Sequence, residues 1–429
     1  MTVELISVGT ELLLGNIVNT NANYLSIQCA ELGFSLYYQV VVGDNDKRLG
    51  DTIRTALQRS DIVILTGGLG PTQDDLTKEA VAKVLGRRLL MDEPSKERIL
   101  GYFKQISYSS KAKGSNVSDS GLFKITENNW KQALKIEDCI VIDNDNGTAP
   151  GYIVEDDGKR ILLLPGPPSE MIPMFHNSML PYLKKLQNKV FVSKMVKVCG
   201  IGESKAETMI IDLIEGQSNP TIAPYAKSGE VHFRVTCSAD TKVEAQRTME
   251  PLLEELKIRF KDNIYTLEEE ETLEEVVVKQ LKSLGLKLAT AESCTGGLLA
   301  GRLVNVSGVS EVLQEGFITY SNEAKMKSLG VNSKTLEQYG AVSEETAVEM
   351  AAGAAKASGC DVAISITGIA GPEGGTEDKP VGLVYLACQI NHKIITKELH
   401  LRGNRQQIRE RTVIYALDLI RRSLLQNSL

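Results

Sequence analysis

The stretch TAESCTGG, residues 290–297, sets a serine, a cysteine and a threonine side by side where an apolar run gives way to a helix-like pattern. Ser293 and Cys294 are each potential nucleophiles, and the same small-residue turn would equally suit a phosphate. A serine attacks only if a neighbouring group takes its proton. The chain has four histidines, His176, His232, His392 and His400, and none stands near another catalytic-looking residue. The remaining bases are Tyr320 and Lys325 in YSNEAK, because a lysine whose pKa is lowered by burial can deprotonate a serine. Scarcity of histidine therefore favours Ser293 with Lys325. Cys294 needs less activation, since a thiol is already partly ionised near neutrality, yet a free cysteine also packs readily beneath a turn. The residues alone leave both open.

Other groups fit around such a centre. Backbone N–H groups of Thr295, Gly296 and Gly297, where a helix begins, can stabilise an oxyanion or hold a phosphate. Thr367 and Gly368 end the strand-like DVAISITG and are placed to shape the same crevice. Arg405 and Arg409 lie four apart on one helical face, so both can reach a phosphate, although the same pair also suits a solvated face. The loop AGPEGGTEDKPVG, 370–382, reads as a cover for the pocket, with Glu373 and Asp378 in solvent.

A second constellation lies near the start. TGGLGPTQDDLT, residues 66–77, follows a buried strand-like run and opens a helix. Gly67, Gly68 and Gly70 permit close backbone approach, Pro71 presets the turn, and the helix start offers N–H groups to an anion. Asp74 and Asp75 add adjacent carboxylates, whose plainer role is helix capping. GTELLLG (9–15), NTNANYLS (19–26), GTAPGY (147–152) and LPGPPSEM (164–171) supply further turns. In a parallel sheet, loops at the carboxyl ends of the strands converge on one crevice.

These groups need elements to hold them. A chain of 429 residues is long enough for two to three domains. Buried β-branched runs alternate with amphipathic helical patterns (19–32, 46–59, from about 74) over 1–175, which predicts a doubly wound α/β domain. A polar stretch between about 103 and 135 reads as an extended surface loop. Residues 176–260 read as a small α+β unit. The acidic LEEEETLEE at 267–275 ends a linker and opens a helix, and α/β alternation resumes over 270–429, closing with a long helix from about Asn404. A net charge of −7 argues against a broad nucleic-acid footprint. Apolar runs stay short of the ~18 residues a membrane span needs, and the first residues read as a strand, so a cytoplasmic protein is expected. Seven cysteines without C-x-x-C spacing predict reduced, mostly buried thiols.

The combination of GTELLLG, NTNANYLS, TGGLGPTQDDLT, GTAPG and LPGPPSEM resembles the molybdopterin-binding, MoaB/MogA-like domain at the N-terminus of the CinA family of competence/damage-inducible proteins. The resemblance implies hydrolysis of ADP-ribose to AMP and ribose 5-phosphate, with a divalent cation (Mg, Mn or Co) and help from K⁺. It implies Glu11, Asp74 and Asp75 near metal and pyrophosphate, with Thr66, Gly67, Gly68, Gly70 and Thr77 as the cradle. Oxygen donors without histidine suit a hard cation. Glu170 is a further candidate for the crevice. The middle unit resembles a KH-like domain, but CGIGES lacks the G-x-x-G clamp of an RNA-binding KH unit, so a structural or dimerising role is expected.

Residues 270–426 resemble the CinA C-terminal domain, whose stand-alone form deamidates nicotinamide mononucleotide. That resemblance makes Ser293 the nucleophile, with Tyr320 and Lys325 beside it, and leaves Cys294 to packing. It implies a cofactor-free amidohydrolase that converts nicotinamide mononucleotide to nicotinate mononucleotide and ammonia. The expectation is a bifunctional pyridine-nucleotide salvage enzyme, a homodimer with small-molecule substrates and neither membrane nor nucleic-acid partner. The competing reading is a nucleotide-binding protein of competence or DNA damage with one silent domain. A molybdopterin-processing role rests on fold analogy alone.

Overall fold

The computed structural model describes residues 1–112, 127–391 and 393–427; His392 and part of the expected 103–135 loop lie outside them. Two compact units divide the chain, Met1–Phe191 with Ser238–Lys242, and Val192–Cys237 with Val243–Leu429.

The first unit carries β1 (Thr2–Val8), β2 (Ser35–Val42), β3 (Ile62–Thr66), β4 (Leu89–Met91), β5 (Leu134–Ile136), β6 (Cys139–Ile142), β7 (Gly151–Asp156) and β8 (Lys159–Leu164). Its main sheet runs β2-β1-β3-β8-β7-β6, while β4 and β5 pair separately. Alternate residues of β1 feed opposite cores. Val3 and Leu5 pack with Leu25, Cys29, Met171 and Phe175 on one face, and Ile6 and Val8 with Leu49, Ile53 and Val81 on the other. Helices thus cover both sides, the doubly wound arrangement expected.

The sheet departs from all-parallel at one edge. Strands β2, β1, β3 and β8 are parallel, whereas β7 and β6 run antiparallel to their neighbours. A two-residue turn causes this: Asp157 (φ 41°) and Gly158 (φ 74°) adopt the positive-φ pair that closes a tight hairpin.

Two sequence expectations need correction here. The polar stretch from 103 continues the helix Glu93–Ala112, and Glu127–Ala133 forms a 3₁₀ turn. The run contains no helix breaker before Gly114, and polar residues alone do not end a helix. The helix expected from about 74 starts at Thr77. Asp75 does not cap it, because its Oδ2 accepts from the N–H (2.9 Å) and the hydroxyl of Thr72 and so closes the preceding turn.

Mostly within the second unit, β9 (Val190–Cys199), β10 (Thr221–Lys227), β11 (Glu230–Ala239) and β12 (Ile264–Thr266) form a sheet in the order β10-β11-β9-β12. The short β12 was not expected. A second sheet orders β13 (Leu288–Glu292), β14 (Leu313–Ile318), β15 (Val362–Gly368), β16 (Leu383–Ile390) and β17 (Lys393–His400) as β14-β13-β15-β16-β17. Here β14, β13 and β15 are parallel and β16 and β17 antiparallel.

Helices Leu273–Leu284, Leu298–Val304 and Arg405–Asn427 bury Leu281, Leu299, Leu303 and Leu417 against Leu288 and Ile364. Leu329, Met350 and Ala354 cover the other face, with Ala289 and Ala291. The acidic linker ends in a capping box in which Thr272 and Glu275 satisfy each other's backbone N–H, as such a first turn favours. The seven cysteines lie outside disulfides among the described residues, and six are buried. No helix among the described residues is long and apolar enough to cross a membrane.

Candidate active site

Ser293 follows the last residue of β13, where the strand leaves the sheet. Its N–H donates to Ile366 O on β15 at 3.0 Å, and its own carbonyl accepts from Gly296 N–H at 3.1 Å, which fixes both sides of the residue. Lys325 sits one turn into the helix Asn322–Leu329, which Ser321 caps through Ala324 N–H. Because β13 and β14 are parallel neighbours, their carboxyl ends bring the two residues together.

Lys325 Nζ lies 3.1 Å from Ser293 Oγ, 2.9 Å from Thr319 O and 3.2 Å from Tyr320 O. It is 1% exposed, and burial lowers its pKa, opposed in part by the field of the Cys294 thiol. A neutral amine has two N–H bonds and one lone pair. As an ammonium Lys325 donates to all three oxygens; once neutral, its two N–H bonds can stay on the carbonyls and its lone pair faces the serine hydroxyl. The arrangement can therefore draw the proton from Ser293.

Cys294, the next residue, is 6% exposed. Its thiol belongs to the apolar cluster with Leu299 and Ile366, and burial pushes its pKa up to about 11. With its pKa there, it stays a thiol near neutrality.

The surrounding residues assemble in part as expected. Tyr320 is largely exposed, and its hydroxyl accepts from Arg405 Nη2 at 3.3 Å; Arg405 Nη1 donates to Gly371 O at 2.7 Å. Arg409 Nη2 donates to Thr295 O at 2.7 Å. Arg409 thus stands beside the 293–297 turn and Arg405 beside the 370–382 loop, where Glu373 and Asp378 are exposed.

Two of the three expected N–H donors are already engaged: that of Gly296 by Ser293 O, and that of Gly297 by Glu292 Oε2 at 3.1 Å. The donors that remain are the N–H of Thr295 and its hydroxyl, which is buried without a partner among the described residues. Thr367 and Gly368 are tied to the protein frame rather than offered to a ligand. Thr367 Oγ1 donates to Ala341 O at 2.6 Å, and a Cβ on Gly368 would meet Leu383 O at 2.8 Å, so that glycine serves strand pairing.

The residue missed in the sequence is Glu292. It was visible only as a single carboxylate closing an apolar strand ahead of two glycines.

In the first unit a cavity of about 430 Å³ is lined by Glu11, Gly67, Gly68, Gly70, Asp74, Asp75 and Glu170. Gly67 has φ 94° and a Cβ there would lie 2.2 Å from Val8 O, so no other residue fits without moving the backbone. Thr66 and Thr77 are buried behind this surface rather than lining it. Thr77 instead ties the loop, its hydroxyl donating to Gly67 O at 2.7 Å and its N–H to Gly68 O at 3.1 Å.

Sequence reasoning missed two further lining residues, Asp44 and Gln132. Glu170 accepts from Asn144 Nδ2 at 2.7 Å. Asp74 makes no hydrogen bond or ion pair among the described residues. The lining holds five carboxylates and no lysine or arginine, yet no group of three or more such ligands converges as a metal cage among the described residues.

Comparison with known proteins covers nearly all of the sequence. The family described as "CinA C-terminal domain" matches residues 270–424, "Probable molybdopterin binding domain" matches 4–185, and "Damage-inducible protein CinA KH domain" matches 193–266. The CinA-like protein of Kosmotoga olearia is 53% identical over 426 residues, 99% of each chain. That of Dictyoglomus turgidum is 51% identical over 425 residues, 99% of this chain and 100% of its own. The crystal structure of the competence/damage inducible protein CihA from Agrobacterium tumefaciens is 44% identical, with a TM-score of 0.35, and matches 35% of this chain and 93% of its own.

Proposed function

The chain belongs to the CinA family, and from that premise we propose that its C-terminal part is a serine amidohydrolase that deamidates nicotinamide mononucleotide. The observation that carries the reading is the Ser293–Lys325 pair at 3.1 Å, with both remaining contacts of the amine made to carbonyls. Lys325 Nζ takes the Ser293 hydroxyl proton while Oγ bonds to the carboxamide carbon, and the carbonyl oxygen becomes an oxyanion facing the Thr295 N–H and hydroxyl. The ammonium of Lys325 returns the proton to the leaving nitrogen, the C–N bond breaks, and ammonia departs. Water, deprotonated by the same amine, then hydrolyses the ester to nicotinate mononucleotide and frees Ser293. Arg405 and Arg409 would hold the 5′-phosphate, and the exposed Tyr320 ring would face the base.

The N-terminal cavity supports a second activity, hydrolysis of ADP-ribose to AMP and ribose 5-phosphate. Five carboxylates without a cationic side chain repel a bare diphosphate. They suit one that arrives with a divalent ion, since Mg²⁺ is commonly held by one or two carboxylates plus substrate phosphates. Asp74 and Glu11 would hold that ion, which when bound supplies charge neutralisation at the diphosphate. The backbone of Gly67, Gly68 and Gly70 would line the diphosphate path.

The deciding experiment measures ammonia and nicotinate mononucleotide from nicotinamide mononucleotide with wild type, Ser293→Ala and Cys294→Ala. Turnover by wild type and Cys294→Ala but not by Ser293→Ala is expected. Inertness of all three would leave a nucleotide-binding domain in its place. For the first unit, AMP release from ADP-ribose that EDTA abolishes and Asp74→Ala removes is expected.

A further inference from the structure

We propose that Glu292 is a positioning residue for the nucleophile: its carboxylate holds the 293–297 turn in the shape that presents Ser293 Oγ to Lys325, an inference that rests on the amidohydrolase reading above. Glu292 ends β13 and is 1% exposed. Its Oε2 accepts from Gly297 N–H at 3.1 Å and Leu299 N–H at 3.0 Å, and its Oε1 from Ala300 N–H at 2.9 Å. No salt bridge to it exists among the described residues, so backbone donors alone replace the water this carboxylate gave up. Such charge-assisted bonds are stronger than neutral ones, and losing them would strand the buried charge.

The three donors are the N–H groups that the start of a helix leaves without an internal partner. Glu292 therefore reaches across the turn it precedes and fastens the turn's far end to the strand. The near end is already fastened by Ser293 N–H on Ile366 O at 3.0 Å. Between the two anchors, Gly296 (φ 58°) and Gly297 (φ 88°) fold the chain back on itself. A turn pinned at both ends leaves Oγ little freedom, and reacting groups displaced by about 1 Å lose about a hundredfold in rate. Because these N–H groups are spent on Glu292, the helix start does not serve a substrate anion, and that task falls to Thr295 and the arginines.

Conservative variants separate position from charge. Glu292→Gln keeps an oxygen for Gly297 and Leu299 but turns an N–H toward Ala300, whereas Glu292→Asp keeps the charge and falls a methylene short of all three donors. The probe is phenylmethylsulfonyl fluoride, which bonds sulfur to a competent serine oxygen with loss of fluoride. Label at Ser293 is followed by mass spectrometry on the full chain, alongside kcat and KM for nicotinamide mononucleotide.

The expected order is wild type, then Gln about tenfold slower, then Asp about a hundredfold slower, with kcat falling in parallel and KM little changed. A folded Glu292→Asp that labels at the wild-type rate, or faster than Glu292→Gln, overturns the proposal. Should both fail to fold, Ala300→Pro removes one donor within the first helical turn, where proline is tolerated; a wild-type labelling rate there overturns it equally. A wild type that takes no label at Ser293 removes the serine reading and this inference with it. Labelling without ammonia release removes only the substrate assignment.

Discussion

Ser293 and Lys325 are 32 positions apart in sequence and 3.1 Å apart at their functional atoms. They meet because β13 and β14 run parallel side by side: β13 delivers Ser293 just past its carboxyl end, and the helix Asn322–Leu329 that follows β14 carries Lys325. The pairing is a product of strand order, and it places a buried amine against a hydroxyl with no carboxylate between them.

In the proposed mechanism Lys325 is the base and must be neutral to act. Burial lowers the Lys325 pKa, so kcat/KM should rise with pH through a value below the ordinary lysine figure of about 10.4. The same shift acts on stability. Between the folded and unfolded pKa values the unfolded chain binds the extra proton, so stability falls as pH drops through that window, and the full cost persists below the folded value. Lys325→Met should therefore abolish turnover while raising the melting temperature near neutral pH. A variant that is both inactive and less stable would contradict this account of the lysine.

Cys294 should be dispensable. Its thiol, held up to about 11, should resist iodoacetamide until the pH approaches that value, and Cys294→Ala should keep turnover within about threefold, with stability lowered by about 1–2 kcal/mol for the small cavity left behind. Rapid alkylation at pH 7 would show a thiolate that the structure does not support.

In the proposed function the two arginines serve binding rather than chemistry. Arg409→Ala and Arg405→Ala should each raise KM for the mononucleotide by about tenfold or more, the range for a lost hydrogen bond to a charged group. The unphosphorylated nucleoside should be affected far less. Equal losses on both substrates would assign these side chains to holding Tyr320, Gly371 and Thr295 in place.

In the first unit, glycines of similar φ should differ in their tolerance. Gly67→Ala drives a Cβ to 2.2 Å from Val8 O at φ 94°, whereas Gly86, at φ 65°, has open space around it. Gly86→Ala should cost about 1 kcal/mol for the left-handed backbone alone, and Gly67→Ala more than about 2 kcal/mol together with loss of AMP release. Thermal unfolding of the two variants side by side checks the ranking.

Much of this architecture was readable from periodicity. The helices at 20–31 and 46–59 and the run IVILT behave as their patterns require, because burial on two faces leaves few other solutions for such segments. The antiparallel edge was not anticipated: it follows from the Asp157-Gly158 turn, and strand-like runs mask direction unless the turn is weighed first. The 103–112 helix and the 3₁₀ turn at 127–133 were lost to polar composition, which reports exposure rather than backbone form.

At the site, residue type was enough to name Ser293 and Lys325 as a possible pair. It could not tell which of Ser293 and Cys294 faces the lysine, since that depends on the turn rather than on the letters. Glu292 escaped notice because its partners are backbone N–H groups, which carry no signature in sequence.

The carbonyls of Thr319 and Tyr320 that receive the Lys325 amine belong to the main chain. A substitution at either position changes a side chain and leaves both acceptors standing. The two acceptors that hold the Lys325 amine are thus insulated from single-letter drift at positions 319 and 320, and they are vulnerable instead to a change of length. One residue inserted or deleted between Ile318 and Asn322 would shift both carbonyls at once.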